Sequence, residues 1–171
     1  MGKPDLSRYS VKLLDHYRHP RNAGPLAEAD GVGSAAQTGC GDLLVVRIRV
    51  RDEKISQIRF ECTGCPAAVA AASAMTEAAL GLGLDEAAEL PDTVVGEAAG
   101  LPQDEWHCAT LACDALHNAI MDHVTREIDR LSRATRRSGT KLPTKLLDIT
   151  SQCLTMLLKP NFSAWLPAAT L

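Results

Sequence analysis

Hydrophobic and polar positions alternate over two adjacent stretches of the chain. Between Leu43 and Arg51, Leu44, Val46, Ile48 and Val50 share one face, and Arg47, Arg49 and Arg51 share the other. Asp52-Glu53-Lys54 turns the chain, and Ile55 to Cys62 returns with Ile58, Phe60 and Cys62 alternating against Arg59 and Glu61. A period of two with one apolar face predicts two half-buried strands joined as a hairpin. The pattern then changes. Thr63-Gly64 is a turn, and Pro66 suits the first position of a helix, where its missing N–H costs nothing. Ala67 to Ala79 is almost unbroken small and apolar sequence, so the helix is expected to be buried and to end near Gly81-Leu82-Gly83. Upstream, Ser10 to Tyr17 predicts a short amphipathic helix with Val11, Leu13, Leu14 and Tyr17 apolar, stopped by the turn His19 to Pro25. Gly31 to Thr38 reads as an edge strand or a loop. Downstream, Asp85 to Leu90 predicts a short helix broken by Pro91-Asp92, and Gly100-Leu101-Pro102 a loop. A long helix is expected from near Asp104 to about Arg133, because Cys108, Ala112, Ala115, Ala119, Ile120, Val124, Ile128 and Leu131 recur at helical spacing. Beyond Ala134 the composition shifts. Arg136 to Lys141 reads as a basic linker, and Leu146 to Leu158 fits another helix ended by Pro160.

Composition narrows the class. The chain has 171 residues and 46% hydrophobic residues, enough for one domain with a real core plus an extension. The division expected is a domain over 1–133 and a C-terminal extension over 134–171. A formal net charge of −3 supplies no general basic field for nucleic acid or an anionic membrane surface. No segment approaches the roughly 20 apolar residues of a membrane span. Met1 to Ser10 is polar and lacks the apolar run of a signal peptide, so a cytoplasmic protein is expected. Six cysteines in such a chain point to reduced thiols or metal ligands rather than to a disulfide frame.

Three of those cysteines fall at element junctions. Cys40 lies in Gly39-Cys40-Gly41-Asp42 just before the first hairpin strand, where two glycines permit unusual backbone angles and close approach. Cys65 falls where a helix N-cap would sit, and the unpaired N–H groups and positive dipole end there favour a thiolate. Cys108 lies in the first turn of the long helix, directly after His107. Three thiolates with the Asp42 carboxylate and the His107 imidazole make a site for zinc, ferrous iron or an iron–sulfur cluster. Spacing alone supports equally well three small buried core cysteines, since the ligands are not in tandem CxxC pairs. The Gly-Cys-Gly-Asp context favours the site, because a carboxylate does not help a core.

These residues bring the chain to a resemblance. Tyr9-Ser10, Asp15-His16-Tyr17, Pro20-Arg21-Asn22-Ala23-Gly24, Cys40-Gly41-Asp42, Gly64-Cys65, Thr76-Glu77, Leu84-Asp85-Glu86-Ala87 and His107-Cys108 occur in that order over about residues 9–131. In this the chain resembles the IscU/NifU-type iron–sulfur cluster scaffold family. The resemblance implies an α+β fold, a small, mainly antiparallel sheet with helices packed on one side. It implies a non-catalytic scaffold that builds a transient [2Fe–2S] or [4Fe–4S] cluster on Cys40, Cys65 and Cys108 and passes it on. Asp42 and His107 are then adjacent ligand candidates, with zinc or iron held when no cluster is present. The implied partners are a cysteine desulfurase, an iron or electron donor and recipient apoproteins, with the chain itself a monomer or a homo-oligomer. Thiolates are soft ligands suited to such clusters, and an oxygen or imidazole in the fourth place holds iron less firmly, which suits a scaffold that must release its product.

The chain departs from the family pattern in places. Cys62 forms a CxxC with Cys65, yet its alternation with Ile58 and Phe60 predicts a core thiol. Cys113 follows Cys108 by five positions, about 140° around a helix, so it is expected to lie away from the site. Leu101-Pro102-Gln103-Asp104-Glu105 stands where IscU members have the Leu-Pro-Pro-Val-Lys stretch that specialised Hsp70 chaperones recognise. Glu105 thus replaces a basic residue, which puts recognition by such a chaperone in doubt, and the handling of incoming sulfur with it. Trp106 is expected either to shield the site or to pack beside it. His16, His19, His117 and His123 read as surface or helix-packing residues, and Arg47, Arg49 and Arg51 as a solvated strand face. Two alternatives remain. One is a SufU-like zinc-bound sulfur acceptor with sulfurtransferase activity, although the separation of 43 from Cys65 to Cys108 leaves no room for the insertion that such chains carry. The other, a purely structural zinc domain, leaves the Gly-Cys-Gly-Asp turn unexplained. Residues 132–171 hold only Cys153, so neither further cluster-binding domain of full-length NifU proteins is expected there.

Overall fold

The structure, a computed structural model, describes residues 6–138. Its elements are α1 (Val11–Arg18), β1 (Gly31–Gln37), β2 (Asp42–Arg51), β3 (Lys54–Thr63), α2 (Pro66–Ala79), α3 (Leu84–Ala88), α4 (Asp92–Ala99), a 3-10 turn (Gln103–Glu105) and α5 (His107–Ser138). The described part divides at His123/Val124 into two units.

In the first unit the three strands form one antiparallel sheet in the order β1-β2-β3. The expected hairpin is β2–β3, closed by Asp52 and Glu53, both at positive φ (51° and 59°), the geometry of a tight type I′ turn. Leu44 pairs with Cys62, Val46 with Phe60 and Ile48 with Ile58, so the apolar face predicted for each strand is one shared face. That face is buried, and helices cover it. Val50 is only half-buried, because the register slips between Arg49 and Val50. The opposite face carries Arg47, paired with Glu61, and Arg49, held by Glu28 and by the Ala27 and Glu28 carbonyls.

Two contacts fix the helices on the sheet. Helix α2 packs on β3 and β2 and is buried almost all round, which its run of alanines permits. The first part of α5 lies against β1 at the two glycines. A Cβ on Gly33 would lie 2.1 Å from the Ala119 amide nitrogen and 2.4 Å from the Ala115 carbonyl, and one on Gly31 would lie 2.2 Å from the Ala119 carbonyl. Here glycine is required by backbone contact. The sheet edges are covered as well. The Val32 amide donates to Asp122 and Asn118 donates to the Ser34 carbonyl, while β3 exchanges hydrogen bonds with Asn22 and Gly24 at Phe60 and with Gly81 and Leu82 at Ile55.

Several expectations change. Val11 is 87% exposed, and α1 instead buries Leu13 and His16. Helix α4 was not predicted, because two valines and a glycine weaken its helical signal; Gly100 closes it in the left-handed conformation at φ 66°. The long helix begins at His107, after the separate 3-10 turn, and continues through Ser138, beyond Arg136, where the basic composition predicts the start of a linker. Arginine is a good helix former, so nothing local ends the helix there. In the second unit Val124, Ile128 and Leu131 are half-buried. The rest of that linker, the helix expected over Leu146 to Leu158 and Cys153 lie outside the described residues. Among the described residues no helix is long and apolar enough to cross a membrane.

Candidate metal centre

Three chain junctions meet at one end of the sheet. The β1–β2 turn brings Cys40 and Asp42, the β3–α2 junction brings Cys65, and the start of α5 brings His107 and Cys108. They meet because α5 runs back along β1 from its glycine contacts, placing its N-terminus beside the turn that ends β1. Gly41 adopts φ 71°, a left-handed geometry in the turn that presents Cys40.

Cys65 is the N-cap of α2, as its place before Pro66 predicts. Its Sγ accepts the Ala68 N–H at 3.3 Å and lies 3.7 Å from Cys108 Sγ. Donation from the Cys108 thiol, aided by the Ala68 amide, lowers the Cys65 pKa against the opposing pull of burial and Asp42. Cys108 is fully buried, and its hydrogen bond to Cys65, burial and nearby negative charge hold it well above the ordinary thiol range. Of the pair, Cys65 is the one whose thiolate form is favoured and Cys108 the one held as the thiol.

Asp42 is 2% exposed. Its Oδ1 accepts the Cys65 backbone N–H at 2.8 Å, and its Oδ2 lies 3.2 Å from Cys65 Sγ. Gly64 makes this possible, since a Cβ there would lie 2.5 Å from Asp42 Oδ1. Cys40 is exposed, with Sγ 3.2 Å from His107 Nε2. Desolvation, then the Asp42 charge, raises its pKa.

The five residues singled out in the sequence thus meet. Cys40, Asp42 and His107 form one group of donor atoms within 4.8 Å of one another, and Asp42, Cys65 and Cys108 form a second. A third joins Glu105 to His107 and Cys108. Sequence reasoning treated Glu105 as a change of charge and missed its place among the donors. The available signal was its position three residues before Cys108, one helical turn away. The donor set of soft sulfurs with oxygen and imidazole fits zinc, iron or an iron–sulfur cluster.

The remaining candidates fall elsewhere. Cys62 is half-buried on the core face opposite Leu44, with its thiol pushed up to about 12 by burial and by the charges of Asp42 and Cys65. Cys113 is half-buried and is likewise pushed up to about 12 by burial and by Asp92 and Asp114. Neither belongs to a donor group among the described residues. Trp106 packs on α4, its ring lying 2.9 Å from where a Gly96 Cβ would be. Pro20 to Gly24 is structural, since it binds the edge of β3 and the buried hydroxyls of Ser73 and Thr76.

Comparison with known proteins identifies the family and the fold. Residues 8–130 match the family described as the NifU-like N terminal domain. The chain is 43% identical over 126 residues to an Archaeoglobus fulgidus protein named iron–sulfur cluster assembly scaffold protein IscU 1, covering 72% of this chain and 82% of that one. Among solved structures it resembles the N-terminal part of a Brucella abortus nitrogen-fixing NifU-like protein, with TM-score 0.60, 18% identity, and coverage of 68% of this chain and 94% of that one. It also resembles a Fervidobacterium islandicum protein assigned as a cluster assembly scaffold for the SUF system, with TM-score 0.57, 21% identity, and coverage of 68% and 99%. Both structural likenesses are of fold, an antiparallel sheet with helices in the α+β class.

Proposed function

The chain belongs to the NifU-like N-terminal domain family, and from that premise we propose that it assembles an iron–sulfur cluster on Cys40, Cys65 and Cys108 and passes it to apoproteins. The observation that carries this reading is the convergence of three thiols with Asp42 and His107 from separate junctions of the fold. The cluster is cargo, and the residues divide the work of holding it. Cys65 offers a thiolate stabilised at a helix N-terminus. Cys108, buried beside it, forms the floor and gives up its proton when it binds metal. Cys40, exposed on its turn, is the sulfur that an incoming donor reaches first. Asp42 Oδ2 and His107 Nε2 complete the shell with harder, more readily exchanged ligands.

The partners of this reading are a cysteine desulfurase, an iron or electron donor and recipient apoproteins, and its compartment is the reducing cytoplasm. The cluster is [2Fe–2S] or [4Fe–4S] in transit, with zinc or iron in the cluster-free protein. The test is anaerobic reconstitution with iron, cysteine and a desulfurase, followed by the visible absorption spectrum. Wild type and Cys113→Ser are expected to develop the cluster chromophore, and Cys65→Ser to lose it. Equal loss in both variants overturns the assignment. Tightly bound zinc with no chromophore in wild type would instead identify a sulfur acceptor with sulfurtransferase activity.

A further inference from the structure

Among the described residues, the Glu105 carboxylate is the donor at this centre left without a role. Its two oxygens face opposite ways. Oε1 accepts from the Arg8 guanidinium at 3.2 Å and from the Tyr9 hydroxyl at 3.4 Å. Oε2 lies 4.0 Å from Cys108 Sγ and 4.0 Å from His107 Nε2. The side chain is only 16% exposed, in the 3-10 turn just before α5. Arg8 also pairs with Asp104 and sits over the Tyr9 ring, so the segment before α1 is clasped to this turn.

A carboxylate that binds metal through one oxygen and is held by hydrogen-bond donors on the other has this form, and its outer partners set the orientation of the ligand. Glu105, His107 and Cys108 supply one oxygen, one nitrogen and one sulfur within 4.8 Å of one another. Asp42 approaches the same buried thiol from the opposite junction, so the wall around Cys108 is rich in acceptors. The guanidinium meets Glu105 on the oxygen turned away from Cys108. The inner oxygen is therefore the one presented to a cation.

We propose that Glu105 is a ligand for entering metal, joining His107 and Cys108 to hold a divalent transition-metal ion such as ferrous iron. Arg8 and Tyr9 are positioning residues that couple metal entry to the N-terminal segment. Cys108 binds as the thiolate, its proton leaving to solvent, and no electron is transferred. The proposal rests on the reading that Cys108 and His107 face the metal, and it adds an oxygen ligand that this reading does not require.

The test is anaerobic titration of the full-length apo-protein with cobalt(II), whose thiolate charge-transfer and d–d bands report sulfur ligation and coordination separately. Wild type is expected to bind, and Cys108→Ser to lose charge-transfer intensity. Glu105→Gln is expected to weaken cobalt binding at least about tenfold and to shift the d–d bands, with unchanged charge transfer per bound ion. Glu105→Asp keeps the charge but shortens the reach, and it is expected to lose a similar factor. Circular dichroism confirms that each variant is folded. Arg8→Ala is expected to lose part of this affinity. Cobalt is expected to slow hydrogen exchange at the Tyr9 amide in wild type but not in Glu105→Gln. If Glu105→Gln and Glu105→Asp match wild type in affinity and spectrum while Cys108→Ser does not, the ligand role is overturned and the scaffold reading stands. A Glu105→Asp variant equal to wild type beside a weakened Glu105→Gln would reduce Glu105 to a charge effect and overturn it too. Charge-transfer intensity undiminished in Cys108→Ser would remove Cys108 from the underlying site and sink this proposal with it.

Discussion

Asp42 shows how one residue can serve fold and site together. Its carboxylate is divided, with Oδ1 fixed on the Cys65 amide and Oδ2 facing the Cys65 sulfur. Oδ2 is the oxygen left to exchange on a metal, and we propose that through this atom Asp42 gates the release of the cluster. Asp42→Ala is expected still to assemble a cluster on Cys40, Cys65 and Cys108 but to transfer it more slowly to an apo-ferredoxin, because the exchangeable ligand is gone. The variant also leaves a half-buried N–H without its acceptor, at up to about 1–3 kcal/mol of stability. Transfer rates under anaerobic conditions and thermal melting check the two effects separately, and equal or faster transfer would refute the gating role. The position of Asp42 two residues after Cys40 made it legible as a ligand candidate. Its clasp on Cys65 was not legible, nor was the need for glycine at position 64, since both depend on a contact across two loops.

At the scale of elements, α1 and α2 meet through a buried polar pair. His16 is 7% exposed, and its Nδ1 lies 2.9 Å from Ser73 Oγ, which also accepts the Arg21 N–H at 2.9 Å. Burial is the main cause that lowers the His16 pKa, with Arg21 and Lys12 adding to it and Glu77 and Asp15 opposing. A depressed folded-state value means that the unfolded chain takes up the proton first as the pH falls. Stability from this group is therefore intact above the ordinary histidine value of about 6.5 and is lost below it, at no more than about 1.4 kcal/mol per pH unit, until the folded residue titrates. Urea unfolding at pH 7 and pH 5 is expected to show this loss in wild type and a smaller one in His16→Gln. An equal loss in both would assign it to other groups. The helices whose burial was uniform, such as α2, were legible from composition alone. Helix α4 was not, because its stability comes from packing, including the Trp106 ring on Gly96, and packing leaves no local periodicity.

At the scale of the molecule, the ligands and the main apolar core lie at or before Ile120, and the family match ends at residue 130. We therefore propose a domain boundary at 133/134. A chain ending at residue 133 is expected to stay folded and to reconstitute a cluster, as judged by circular dichroism and visible absorption. An insoluble or molten product would show that later residues complete the core. Within the first unit, the contact of Gly31 and Gly33 with Ala115 and Ala119 has a mechanical consequence. Main chain meets main chain there, so α5 has no side-chain cushion through which to slide along β1 or rise from it. The Cys108 end of the helix is thus a fixed datum for the centre. Compliance is left to the turn that carries Cys40, to the His107 side chain and to Asp42 Oδ2, so the floor of the centre is stiff and exchange takes place around it.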